Sequence, residues 1–150
     1  MHIGIPVEIK SGENRVSCTP SGVRHLVSAG HRVVVQAGAG VGSGFGDDKY
    51  RRAGAVITSS AEKVWKSDLV VKVKEPLPGE YGFFREELLL FTFLHLAGVP
   101  ELSSKLLDSG VTALAYETVQ DDAGRLPLLA PMSEIAGKMS VLMGALSLPS

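Results

Sequence analysis

Apolar and polar positions along this chain fall into two kinds of block. Short apolar runs at residues 2–7, 32–36, 55–58, 68–73, 88–94 and 111–117 have the length and β-branched content of strands. Between them lie stretches with apolar residues three and four apart. Thr19-Pro20 is a helix start, with Thr as cap and Pro in the first turn. Val23, Leu26 and Val27 then form its inward stripe, and Gly30 closes it. Residues 47–53 form a short helix. Ser60 caps another through Lys66, with Val64 and Trp65 inward. Pro100 opens one that carries Leu102, Leu106 and Leu107 and closes at Gly110. Ser133 is placed as the cap of a last helix bearing Ile135, Ala136, Met139, Leu142, Met143 and Leu146. Strands and helices alternate, so the expected class is α/β: a mostly parallel sheet with helices on both faces.

The most apolar block, LLLFTFLHL at residues 88–96, reads as a strand buried on both faces, with His95 at its carboxyl end. A different block tempts a dinucleotide reading. Residues 37–46, AGAGVGSGFG, follow a strand and are rich in glycine. The dinucleotide fingerprint needs glycines at n, n+2 and n+5, for the turn, the pyrophosphate approach and helix packing. From Gly38, Gly40, Gly42 and Gly44 the last position falls on Ser43, Phe45, Asp47 and Lys49. The fold is therefore expected to be Rossmann-like without the dinucleotide fingerprint, and this loop structural.

Composition narrows the function. The 150 residues carry a formal net charge of −1, which offers no basic field for nucleic acid. No apolar run is long enough to span a bilayer. One cysteine, Cys18, excludes an internal disulfide, and no metal-ligand spacing is present. A cytoplasmic protein is expected.

Three polar groups share one predicted edge. Arg15 lies in the loop after the first strand, Lys74 follows the fourth, and His95 follows the fifth. In a parallel sheet those carboxyl ends lie on one side, where ligands bind. Arg offers a planar fork for a carboxylate. Lys can polarise a carbonyl, and His can pass a proton near neutrality. The trio suits a small 2-oxo or 2-amino acid. Each also has a plain reading: a solvated loop charge, an edge charge and a core histidine.

The segments GIPVEIKSGENRV, TPSGVRHLVSAGHRVVVQAGAGVGSGF, LVVKVKEP, LLLFTFLHLA, LLDSGVTALAYETVQ and LPLLAPMSEIAGKMS run nearly end to end. In them the chain resembles the N-terminal part of the alanine dehydrogenase family, which is shared with the alpha subunit of proton-translocating transhydrogenase. KVKEP, FTFLHLA and the YETVQ and PLLAPMSEIAG runs are similar to the dehydrogenase branch. The resemblance implies that Arg15 and Lys74 bind substrate, that His95 is the catalytic acid/base, and that Lys74 acts with it. It implies Met132 beside substrate and Ser133 beside the cofactor. The implied reaction is reversible oxidative deamination of L-alanine to pyruvate and ammonia with NAD, by a homo-oligomeric enzyme. Residues 1–132 would then be an incomplete substrate domain, and 133–150 the start of the helix leading to an NAD-binding domain absent from this chain. The isolated chain is expected to be inactive. The alternatives are a free-standing domain that binds small carboxylates or a partner without catalysis, and a piece of a transhydrogenase alpha subunit.

Overall fold

The computed structural model describes residues 1–147, so the last three positions of the expected 133–150 segment lie outside the described residues. The chain divides into two compact units, Met1–Leu114 and the residues from Ala115 onward.

The first unit is built on the sheet. Its strands are β1 (His2–Ile5), β2 (Arg32–Gln36), β3 (Val56–Thr58), β4 (Leu69–Val71), β5 (Leu89–Thr92) and β6 (Thr112–Ala115), the last of which runs one residue into the second unit. They lie in the order β3-β2-β1-β4-β5-β6 and are all parallel. That order is the doubly wound one, built outward in both directions from β1. It reverses between β1 and β4, whose register pairs Ile3 with Leu69 and Gly4 with Val70. The crossovers carry α1 (Pro20–Ser28), α2 (Asp47–Arg52), α3 (Ala61–Trp65) and α4 (Pro100–Ser109). The expected α/β class holds, as do the helix starts at Thr19-Pro20, Ser60 and Pro100. Thr19 accepts a hydrogen bond from Gly22 N, and Ser60 accepts one from Lys63 N.

Burial follows the strand period. Ile3 and Ile5 of β1, Val33 and Val35 of β2, and Leu90 of β5 are buried together with Val23, Tyr50, Val64 and Trp65 from the helices. Glycine inside β1 has a steric cause. A Cβ at Gly4 would stand 2.3 Å from the Val64 carbonyl oxygen, so α3 packs against the strand only because that position has no side chain.

Five of the six expected strands are shorter than their apolar runs; only β2 fills its run. β4 stops at Val71 and β5 at Thr92, although Val73, Phe93 and Leu94 stay buried. Apolarity reports burial, and here burial outlasts the ladder.

The second unit holds α5 (Ala130–Ser147). It begins three residues before Ser133, which therefore lies inside its first turn with its N–H on Leu129 O, 3.1 Å away. The turn at residues 126–129 already carries helical hydrogen bonds and runs on into the helix, with Pro131 tolerated in the first turn. No described residue of α5 is buried; Ile135, Val141, Leu142 and Leu146 are all exposed. No helix among the described residues is long and apolar enough to cross a membrane.

Candidate functional site

The topology reverses between β1 and β4, and the loops leaving their carboxyl ends part to either side there. Such a point leaves a crevice that loops from both halves can line. After β1 come Pro6, Val7 and Glu8. Proline has no N–H for the ladder, and the Glu8 side chain takes the place of backbone pairing. Its carboxylate accepts hydrogen bonds from Val73 N at 2.6 Å and Lys74 N at 3.4 Å. The same carboxylate accepts from Lys72 Nζ at 3.1 Å. Lys72 donates a second bond to Glu80 Oε1 at 2.8 Å. The other Glu80 oxygen caps Leu77 N at 3.0 Å. The three side chains are 3% (Glu8), 1% (Lys72) and 5% (Glu80) exposed. Burial pushes the Glu80 carboxyl above its usual range; the Lys72 charge and hydrogen bond only partly offset that. This buried array fixes the peptide from which Lys74 projects. Thr92 adds a bond from its hydroxyl to the Lys74 carbonyl, 2.8 Å away.

Arg15 is held by Glu13. Its Nε donates to Glu13 Oε1 at 2.8 Å and its Nη2 to Oε2 at 2.5 Å, while its backbone N–H also reaches Oε1. The Glu13 side chain is 7% exposed and that of Arg15 48%. The Arg15 side-chain hydrogen bonds hold the Glu13 carboxyl at about 2, and the Lys74 charge contributes in the same direction. Arg15, Glu13 and Glu8 line a polar hollow of about 240 Å³, together with Gly38, Ala39 and Gly42. Lys74 and His95 are not among its lining residues.

The glycine-rich loop thus forms a wall of the Arg15 hollow, and its glycines answer to the chain itself. A Cβ at Gly42 would stand 2.7 Å from Asn14 O, and one at Gly40 2.6 Å from Phe45 O. Ser43 Oγ donates to Asn14 O at 3.0 Å. Gly44 closes the short turn Val41–Ser43 at φ 76°. Such a loop is committed to residue 14 and does not fit a dinucleotide pyrophosphate.

His95 stands three residues beyond β5 with φ 51° and ψ 36°. It is the one non-glycine residue at positive φ among the described residues. Strain of this kind costs on the order of 1–3 kcal/mol and persists where the surroundings over-determine it. The side chain is 53% exposed, with Nδ1 3.4 Å from Glu75 Oε2. Glu75 is 7% exposed, and its other oxygen pairs with Lys10 Nζ. Burial raises the Glu75 carboxyl, but the Lys10 bond and the charges of Lys10 and His95 outweigh it, leaving it below its usual range.

Each expected rim residue of the first unit thus has a buried carboxylate behind it: Glu13 on Arg15, Glu8 on the Lys74 peptide, Glu75 beside His95. Sequence reasoning named the three outer groups and missed all three carboxylates, as well as Lys72. Acids 2 to 66 residues from their partners leave no spacing signal. Met132 is 41% exposed, and with Ser133 it lies on α5 in the second unit. A larger hollow of about 470 Å³ lies by the start of α1, with Arg24, Lys49 and Arg52 on its walls. None of these ends a strand.

Residues 4–136 match the family model described as alanine dehydrogenase/PNT, N-terminal domain. Alanine dehydrogenase of Bacillus subtilis (strain 168) is 58% identical over 146 residues, covering 97% of this chain and 38% of that protein. A Staphylococcus epidermidis alanine dehydrogenase is 57% identical over 145 residues, with 97% and 39% covered. A solved L-alanine dehydrogenase superposes with a TM-score of 0.92 at 53% identity, over 97% of this chain and 40% of the other. A transhydrogenase from Sinorhizobium meliloti superposes less well, at TM-score 0.74 and 32% identity, over 78% and 35%. The chain spans about two fifths of the length of the alanine dehydrogenases it matches.

Proposed function

The chain belongs to the alanine dehydrogenase/PNT N-terminal domain family, and from that premise we propose that it is the substrate-binding part of an NAD-dependent L-alanine dehydrogenase. The proposed reaction is the reversible oxidative deamination of L-alanine to pyruvate and ammonia, in a cytoplasmic homo-oligomer. The observation that carries this reading is the strand-order reversal between β1 and β4, with Arg15 in the loop after β1 and Lys74 in the segment after β4. A cation from each half of the sheet there suits a small carboxylate that also carries a carbonyl or amino group.

Arg15 takes the carboxylate through charge-assisted hydrogen bonds, with its guanidinium already fixed by Glu13. Lys74 stabilises negative charge on the C2 oxygen as it develops. His95 exchanges protons with the reacting centre. Holding the substrate at two points supplies part of the rate through orientation alone. Met132 and Ser133 are assigned to the substrate and nicotinamide side of the site by resemblance. NAD supplies the hydride acceptor when bound. The glycine loop gives its pyrophosphate no cradle, and the part of this chain is confined to binding, orientation and proton movement.

Calorimetric titration of the 150-residue chain with pyruvate tests the reading. Binding that is lost in Arg15→Ala is expected, with no alanine-dependent NAD reduction by the chain alone. A chain that does not bind pyruvate sinks the assignment.

A further inference from the structure

His95 does not stand alone at its end of the sheet. Glu75 Oε2 is buried and accepts no hydrogen bond among the described residues. The His95 Nδ1 atom lies 3.4 Å from it, a few tenths of an ångström outside hydrogen-bond range. A buried carboxylate oxygen without a donor is unfavourable, and a small rotation of a half-exposed imidazole relieves it.

The root of Glu75 is rigid on both sides. Thr92 holds the Lys74 carbonyl before it, and Pro76 restricts its own backbone from behind. Lys10, on the other oxygen, keeps the carboxylate ionised. His95 for its part is pinned in the left-handed region, with its ring 5.8 Å from that of Phe93. An oriented acceptor and a strained, oriented imidazole meet at one atom pair.

A neutral imidazole carries its proton on one nitrogen, and the hydrogen bond at that nitrogen decides which. We propose that Glu75 is a positioning residue for His95: its carboxylate takes the Nδ1–H and leaves Nε2 as the atom that exchanges protons with substrate. Glu75 itself touches no substrate. The proposal rests on the reading of His95 as the acid/base, but its first test needs no substrate.

That test is the tautomer of His95 in the 150-residue chain, read from long-range proton–nitrogen spectra of the histidine-labelled protein above the titration of the ring. The Nδ1–H form is expected to dominate. Glu75→Gln keeps an acceptor oxygen at the same place and is expected to retain it. Glu75→Met has similar length and no acceptor. It is expected to shift the ratio about ten-fold toward Nε2–H, the worth of one hydrogen bond. Glu75→Ala serves the same purpose if Met packs badly. Dominance of Nε2–H in the unsubstituted chain overturns the proposal before any variant is made. An unchanged ratio in both Glu75→Met and Glu75→Ala also overturns it. Pyruvate titration of the same samples separates the two readings. No binding sinks the substrate site while the tautomer still decides what Glu75 does. Binding with an unmoved tautomer sinks only the role of Glu75.

Discussion

Lys72 and Lys74 are two residues apart on one segment, and they live in different regions of the molecule. Lys72 is buried between two carboxylates, with its charge spent inside the fold. Lys74 is half-buried, and its charge reaches the Glu13–Arg15 pair at the rim. The same side chain serves stability in one place and is available for chemistry in the other. The difference is made by what faces each: Glu8 and Glu80 close over the first, and Glu8 holds only the backbone N–H of the second.

The largest effect tests the buried side of that contrast. Lys72→Ala leaves two buried carboxylates without their cation, and urea denaturation is expected to show a loss of about 3–5 kcal/mol. The rim responds in binding instead. Arg15→Ala is expected to weaken pyruvate by about 100-fold in calorimetry, the scale of two charge-assisted hydrogen bonds. Its denaturation midpoint should move less than that of Lys72→Ala. Lys74→Met should cost about ten-fold in pyruvate affinity and leave the midpoint nearly unchanged. An equal fall in stability for Lys72→Ala and Lys74→Met would erase the distinction.

The subtlest test is the sign of the pH dependence. Glu13 is held at about 2 in the folded chain against 4.5 for an ordinary glutamate. The stability it lends is complete above about pH 4.5 and is lost as the pH falls toward 2. Glu80 is shifted the other way, above 4.5. The folded chain keeps that proton where the unfolded chain has released it, so stability declines as the pH rises through the window just above 4.5. Urea denaturation across pH should find the acid-side slope flattened in Glu13→Gln and the higher one flattened in Glu80→Gln.

The sheet was readable from the residues because strand–helix alternation is written in local periods. β2 matches its apolar run, and the Thr19 and Ser60 caps mark their helices. The apolar runs put Lys74 and His95 directly at strand ends, whereas β4 and β5 stop at Val71 and Thr92, three residues before them. The place of Lys72 was not readable. In DLVVKV a lysine between valines reads as a solvent-side position of a strand, yet its two acids come from 64 residues before and 8 after. Nothing local says that they close over it. Ser133 misled for a related reason. It has the chemistry of a cap, but the helical hydrogen bonds start earlier, at Leu126 and Leu129. The His95 backbone had no signal at all, because a left-handed histidine is a consequence of tertiary constraint.

The strand order also has a kinetic side. The carboxylate of Glu8 and the Lys72–Lys74 peptide must find each other across 64 to 66 residues, whereas β1 reaches β2 through a single short crossover. Contacts so distant along the chain close late, after the loop entropy between them has been overcome. A nascent polypeptide released only as far as β3 therefore owns half a sheet and every residue that lines the Arg15 hollow, but neither Lys74 nor Glu75. The Lys74 side of the proposed site arrives only when β4 docks on β1, so a ligand contact that needs Lys74 would report that docking and nothing earlier.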